Sequence, residues 1–97
     1  MSTESIMSDA DKFRQLITVE MPYLLPLFDF ENSVYKSAAV ERFLGVASRG
    51  EAIMARFALG VWSHSNDFNF NFVDAARCLD QKHIEIVTKW MNEPFWP

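Results

Sequence analysis

The chain has 97 residues, 49% of them hydrophobic and 23% charged, which is typical of one globular domain rather than of a disordered segment. Its net charge of −4 and its single cysteine argue against a default nucleic-acid binder and against a disulfide-stabilised secreted domain. The acidic start of the sequence and the lack of an apolar run of about 20 residues indicate neither a secretory signal nor a membrane span, so we expect a cytoplasmic protein.

The first predicted helix begins after Ser8, whose hydroxyl can cap free backbone N–H groups, and the aspartates that follow favour the positive end of the helix dipole. Pro22 disfavours helical geometry in the residue before it, so we expect this helix to end near Val19 or Glu20. The apolar, proline-containing segment 22–30 is predicted to be a buried connector with a helical turn at its start.

Two further helices are predicted in the middle of the chain. The first should begin near Asn32 or Ser33. The second should begin at Ser48, because Ser48 and Glu51 form a capping-box pattern. Apolar residues at helical spacing should face the core, namely Val40, Phe43, Leu44 and Ala47 in the first helix and Met54, Phe57, Ala58, Val61 and Trp62 in the second.

Segment 67–72 alternates polar residues with phenylalanines, which is a strand pattern without an evident partner. We therefore expect an extended loop whose rings point into the core. Asn71 and Asp80 are candidate caps for two last helices, and Pro94 should end the second of them. The residues expected to face inward are Val73, Ala76 and Leu79, followed by Ile84, Val87, Trp90 and Met91.

These elements predict an all-α fold in which four to five short helices surround one core. Residues 1–97 should form a single helical domain that carries the Phe-rich extended loop at 67–72, with residues 1–7 disordered. We see no repeat, low-complexity segment or domain linker in the sequence.

No catalytic or metal site is predicted. Asp80 and His83 are three residues apart and could share a helix face, but the paired ligands at tight spacing that mark zinc sites are missing. The three glycines form neither a nucleophile elbow nor a phosphate loop. We therefore expect no enzyme activity and no cofactor, and we expect Cys78 to be a buried neutral thiol.

Residues 1–33 hold six acidic and only two basic side chains. Spaced carboxylates can imitate phosphates and occupy a basic groove on a nucleic-acid-handling protein, although a simple solvated face is the alternative. Because peripheral charges give little affinity, an aromatic anchor away from the helix stripes is also expected. The predicted docking residues are the carboxylates Asp9, Asp11, Asp29 and Glu31 and the rings Tyr23, Phe28, Phe30 and Trp96. Phe95 and Trp96 could instead fold back and close the core.

An alternative site lies in the basic middle of the chain. Three arginines are spaced seven residues apart and would align on one long helix, but the predicted cap at Ser48 interrupts that helix. Two short helices could still present a modest basic patch; otherwise these side chains form a solvated face with weak ion pairs. The residues of this nucleic-acid-binding alternative are Lys36, Arg42, Arg49 and Arg56.

Core-type residues recur in a recognisable order, which is Glu41-Arg42-Phe43-Leu44, Ala47, Gly50, Ala58-Leu59-Gly60-Val61-Trp62, Phe70 and Leu79-Asp80. This set, over about residues 41–90, resembles a domain family of unknown function that occurs in small proteins of bacterial plasmids and integrative elements. The sequence departs from that family where a second tryptophan beside Trp62, and glycines before the phenylalanine, would be found. The resemblance implies a helical fold and an origin on a mobile element, and it assigns no functional residue.

The leading functional hypothesis is a non-enzymatic interaction protein, plausibly an inhibitor from a phage or mobile element, similar in kind to anti-CRISPR proteins. By analogy with such inhibitors, it would dock on a host nucleic-acid-handling complex. The alternative hypothesis is a small nucleic-acid-binding accessory protein. A protein partner is expected, direct nucleic-acid binding and membrane association are not, and self-association is left open.

Overall fold

The computed structural model describes residues 7–97, so the expected disorder of residues 1–7 lies outside the described residues except at Met7. The elements follow one another as α1 (Asp9–Glu20), a 3-10 helix (Pro22–Leu27), β1 (Phe28–Asp29), β2 (Val34–Tyr35), α2 (Ser37–Val46), α3 (Arg49–Ser63), α4 (Phe72–Cys78) and α5 (Gln81–Asn92). The fold is therefore helical, as predicted, with one short antiparallel hairpin.

Four helices begin at the cap that the sequence predicts. The Ser8 hydroxyl accepts the Asp11 N–H at 3.1 Å, and Asn71 and Asp80 side chains accept the N–H groups three residues ahead of them. At α3 the capping box is complete, because Ser48 and Glu51 each accept the other's backbone N–H. These local bonds satisfy N–H groups that have no partner inside their own helix.

The core forms around α3, which supplies more buried residues than any other helix of the described chain. The side chains of Met54 and Leu59 have no exposed surface, and they pack with buried residues of α1, α5 and the 3-10 helix. One end of the core is aromatic. Its rings come from α1, the hairpin and α3, and they are Phe13, Phe28, Phe30 and Trp62.

The hairpin corrects the predicted start of α2. Asp29 accepts both the backbone N–H and the side-chain amide of Asn32, and Ser33 adopts a left-handed conformation with φ 57°. These features close a tight turn that pairs β1 with β2, so α2 begins at Ser37 instead of near residue 32.

The predicted inward orientation is confirmed for two of the three rings of the Phe-rich loop. Phe68 and Phe70 are half-buried against the core, whereas Phe72 is the first residue of α4 and is 73% exposed. A left-handed conformation at Asn69 (φ 62°) breaks the extended path, so the alternation does not continue to the third ring.

The inward face of α4 differs from the predicted one. Ala75 and Leu79, four residues apart and so on one face, are covered, while Val73 and Ala76 are exposed. The Cys78 thiol is also exposed, which contradicts the expected buried thiol. In α5, Val87 is buried and Ile84 and Trp90 are half-buried as predicted, but Met91 is exposed and Ile86 is buried in its place.

Candidate functional site

The segment after α5 folds back onto the helices. The Trp90 indole N–H donates to the Phe95 carbonyl at 3.0 Å, and His64 Nε2 donates to the Pro97 carbonyl at 2.8 Å. Phe95 packs against the core, as expected for a tail that closes it. The tail is therefore held to both α5 and the end of α3.

Trp96 and Asp9 meet across the two ends of the described chain. The Trp96 backbone N–H donates to the Asp9 carboxylate at 2.9 Å, while the Trp96 side chain stays 47% exposed. Asp11 lies exposed in the same first turn of α1, and Lys12 is 4.0 Å from Asp9. One predicted docking carboxylate, Asp9, thus meets one predicted aromatic anchor, while Asp11, two residues further along α1, projects from a different side of the helix.

A small apolar pocket, which we call the tail pocket, opens beside Trp96. Its volume is about 250 Å³, below the range of roughly 300–1,000 Å³ that is common for small-molecule sites. Its walls include Phe57, Val61, His64, Phe70, Trp90, Met91 and Trp96. The Trp96 ring meets the Trp90 ring edge-on at 5.1 Å between centroids and the His64 ring at 5.3 Å. The tail pocket can receive one large apolar side chain.

The turn after α3 sets the position of His64 in this wall. His64 adopts a left-handed conformation with φ 57° and ends α3 with its backbone N–H on the Gly60 and Val61 carbonyls. A Cβ on Gly60 would lie 3.1 Å from the Ser65 carbonyl oxygen, so glycine permits the close approach of the returning chain.

The other predicted carboxylates lie on the hairpin. Hydrogen bonds from the Asn32 side chain and backbone lower the pKa of Asp29, and Glu31 is exposed. Phe30 between them is half-buried, contacts Phe13 of α1 and lies under the Arg14 guanidinium at 5.4 Å. The hairpin acids therefore lie alongside the first half of α1, with one arginine between the two acidic segments.

Two predicted anchors are not free to bind a partner. Phe28 is 4% exposed and packs edge-on against Phe13 in the core, so its prediction as a surface anchor is wrong. Tyr23 is half-buried, stacks on Phe43 and hydrogen-bonds to His83. Both rings lie off the helix stripes, but the connector that carries them is itself part of the core.

Tyr23, His83 and Asp80 form a hydrogen-bonded chain. The Tyr23 hydroxyl lies 3.0 Å from His83 Nε2, and His83 Nδ1 lies 2.7 Å from the Asp80 carboxylate. Burial, with the nearby charges of Glu51 and Asp80, raises the pKa of Tyr23 to about 12. A hydroxyl with that pKa stays protonated near neutrality, so Tyr23 is not an activated nucleophile. The two hydrogen bonds join the 3-10 helix to α5.

The basic residues of the alternative site are not gathered into a free patch. Lys36 and Arg42 are exposed, but Arg49 lies 3.6 Å from Asp74, and the Arg56 guanidinium donates to the Phe68 carbonyl at 2.8 Å. Arg56 thus holds the loop after α3 in place and is only partly exposed.

Within residues 7–97, no group of three or more histidine, cysteine, aspartate or glutamate side chains is placed to hold a metal ion. No helix in this part of the chain is long and apolar enough to cross a bilayer.

The tail pocket itself was not predicted. Its walls come from α3, the loop after α3, α5 and the tail, and no local pattern connects them. The one available signal was the aromatic share of 14%, which exceeds what a small core needs and left Trp96 as a surface candidate.

Comparison with known proteins adds no relationship: no family model, curated protein or solved structure matches this chain.

Proposed function

We propose that this chain is a non-enzymatic interaction protein that binds a basic surface of a host nucleic-acid-handling complex and blocks it. The observation that carries the proposal is the contact of Asp9 with the half-exposed Trp96, whose ring lines the tail pocket. The tail pocket would receive one apolar side chain of the partner. The carboxylates of α1 and the hairpin, of which Asp9 contacts Trp96, would meet the partner's basic groups.

The charges and the pocket have separate roles in this proposal. Exposed carboxylates speed the encounter with a basic surface but add little affinity of their own, since water and salt screen them. A side chain buried in the tail pocket against Trp90 and Trp96 would supply the affinity, because desolvated aromatic contacts dominate most interfaces. Asp29 and Glu31 on the hairpin would extend the acidic field along α1.

The biological form that we propose is a cytoplasmic inhibitor from a phage or mobile element, similar in kind to anti-CRISPR proteins. Support for this form is the acidic net charge and the small size. The step from these properties to inhibition is an analogy.

Direct nucleic-acid binding is not proposed. Lys36, Arg42 and Arg49 are exposed, but Arg49 lies 3.6 Å from Asp74, and Arg56 is bonded to the Phe68 carbonyl. Since affinity for nucleic acid depends on the number of phosphates neutralised, so few available cations support only weak binding.

Affinity capture from nuclease-treated bacterial lysate tests the proposal. The wild-type bait should retain a protein that is lost with Trp96→Ala and with the variant in which Asp9, Asp11, Asp29 and Glu31 become amides. A matched control replaces the exposed acids Glu41 and Asp67 by amides and should retain it. The proposal fails if the folded variants retain the same proteins as the wild type, or if retention disappears with nuclease treatment.

A further inference from the structure

A second surface, which shares Trp90 with the tail pocket, lies between α1 and α5. The groove there has a volume of about 870 Å³, and its floor includes Leu16, Val19, Ile86, Trp90 and Phe95. The Val19 side chain is 61% exposed. Because Asp9 at the start of α1 bonds to Trp96 just after α5, the two helices run antiparallel along the groove.

The charged residues along this groove balance one another. Three lysines and three glutamates line it, although the whole chain has a net charge of −4. Within the described residues the only ion pair that involves them is the 4.0 Å contact of Lys12 with Asp9. This is therefore a neutral face on an acidic molecule, where a second copy would not be repelled.

The order of these charges is self-complementary. In α1, Lys12 and Glu20 lie four residues to either side of Leu16. A two-fold axis near Leu16 reverses the partner helix, so that each Lys12 faces Glu20 of the other copy. The same axis places the lysines of α5 in one copy opposite the glutamates of α5 in the other. The pairs are Lys82 with Glu93 and Glu85 with Lys89.

We propose that the α1–α5 groove is the interface of a two-fold homodimer. Each helix lies antiparallel to its own copy, the floor residues Leu16 and Val19 pack across the axis, and the lysines and glutamates pair at the edges. Each helix has 12 residues and is therefore about 18 Å long, so the buried area belongs to the small, transient class of interface. The dimer accordingly forms in a concentration-dependent equilibrium with the monomer.

Sedimentation equilibrium on the full chain, from about 1 μM to about 1 mM, measures this equilibrium. Lys12→Glu and Glu20→Lys should each raise the dimer dissociation constant about tenfold, because the symmetry places each change in two pairs at once. The double variant exchanges the charges of the same pair and should restore dimerisation. Lys36→Glu and Glu41→Lys on exposed positions of the α2 region are the matched controls and should leave the equilibrium unchanged.

Three results would overturn the proposal. The first is a wild-type protein that stays monomeric over this whole range. The second is single variants that dimerise as well as the controls. The third is a double variant that remains as weak as the single ones. Loss of folding cannot imitate the expected result, since adding a second change to an unfolded variant would not restore the dimer.

Discussion

Tyr23 is a half-buried residue whose surroundings raise its pKa. Its ring is half-buried between Phe43 and His83, and its hydroxyl hydrogen-bonds to an imidazole that Asp80 orients in turn. Ionisation would place a phenolate in a poorly solvated site near the carboxylates of Glu51 and Asp80, so the neutral form is strongly favoured.

The titration of Tyr23 can be observed directly. Tyr35→Phe leaves it as the one tyrosine of the chain. We expect the phenolate absorbance of this variant to rise with a midpoint of about 12 instead of 10.0. Because the folded pKa is raised, the contribution of Tyr23 to stability is complete below pH 10.0 and is lost as the pH rises through about 12. A midpoint near 10 in the folded variant would show that the ring is solvated.

Asp80 should make the stability depend on pH in the acid range, with a sign opposite to that of Tyr23. Hydrogen bonds from the His83 backbone N–H and side chain lower its pKa below 3.8. Its contribution to stability is therefore present above that pH and is lost as the pH falls through the folded pKa. Urea unfolding between about pH 5 and about pH 2 should show a smaller loss of stability for Asp80→Asn than for the wild type, because the amide still caps α5 but does not titrate.

Glu41→Gln removes an exposed carboxylate from α2 and serves as the control for charge alone. Its acid dependence should match that of the wild type. Equal curves for Asp80→Asn and the wild type would contradict the role given to this carboxylate. The hydrogen bonds from Asn32 give Asp29 the same direction of shift, so some acid dependence should remain in both variants.

At the scale of elements, the sequence predicts the features that depend on residues close together in the chain. A helix cap depends on one side chain and the backbone three residues ahead, so Ser8, Ser48, Asn71 and Asp80 could be found from sequence. The hairpin could not, because its two-residue strands are too short to show an alternation. The inward face of α4 was predicted wrongly because five of its seven residues are apolar, so the short helix shows no apolar stripe that would fix its rotation.

The placement of the phenylalanines on α3 and α4 gives a stability test. Phe57 is 5% exposed and meets Phe70 and Trp90 at 5.7 and 5.6 Å between centroids. Phe57→Ala should lower the free energy of unfolding by about 3–5 kcal/mol. Phe72→Ala, the same change at an exposed ring, should stay within about 0.5 kcal/mol of the wild type.

Urea unfolding measures both variants, provided that the slope of the unfolding free energy against urea concentration is the same as in the wild type. A loss below about 1 kcal/mol for Phe57→Ala would place that ring outside the core. A large loss for Phe72→Ala would show that the start of α4 is covered.

At the scale of the whole molecule, the acidic residues predicted to dock and the charge-balanced α1–α5 groove occupy different parts of the surface. Asp9 lies against the tail, and Asp29 and Glu31 flank Phe30 at the aromatic end of the core, while the α1–α5 groove carries balanced charge. Sequence analysis found the acidic segment from its composition alone. It could not place Asp9 against Trp96, because these residues are 87 positions apart and only the complete fold brings them together.

The rate of association with the captured partner, followed by stopped-flow at increasing salt, tests the docking surface most directly. Asp9→Asn, Asp11→Asn, Asp29→Asn and Glu31→Gln together keep the shapes of the side chains and remove their charge. Wild-type association should be faster at low salt and should slow as salt rises, whereas the amide variant should start slower and depend less on salt. Equal rates and equal salt dependence in a correctly folded variant would contradict the account and leave the four acids as a solvated face.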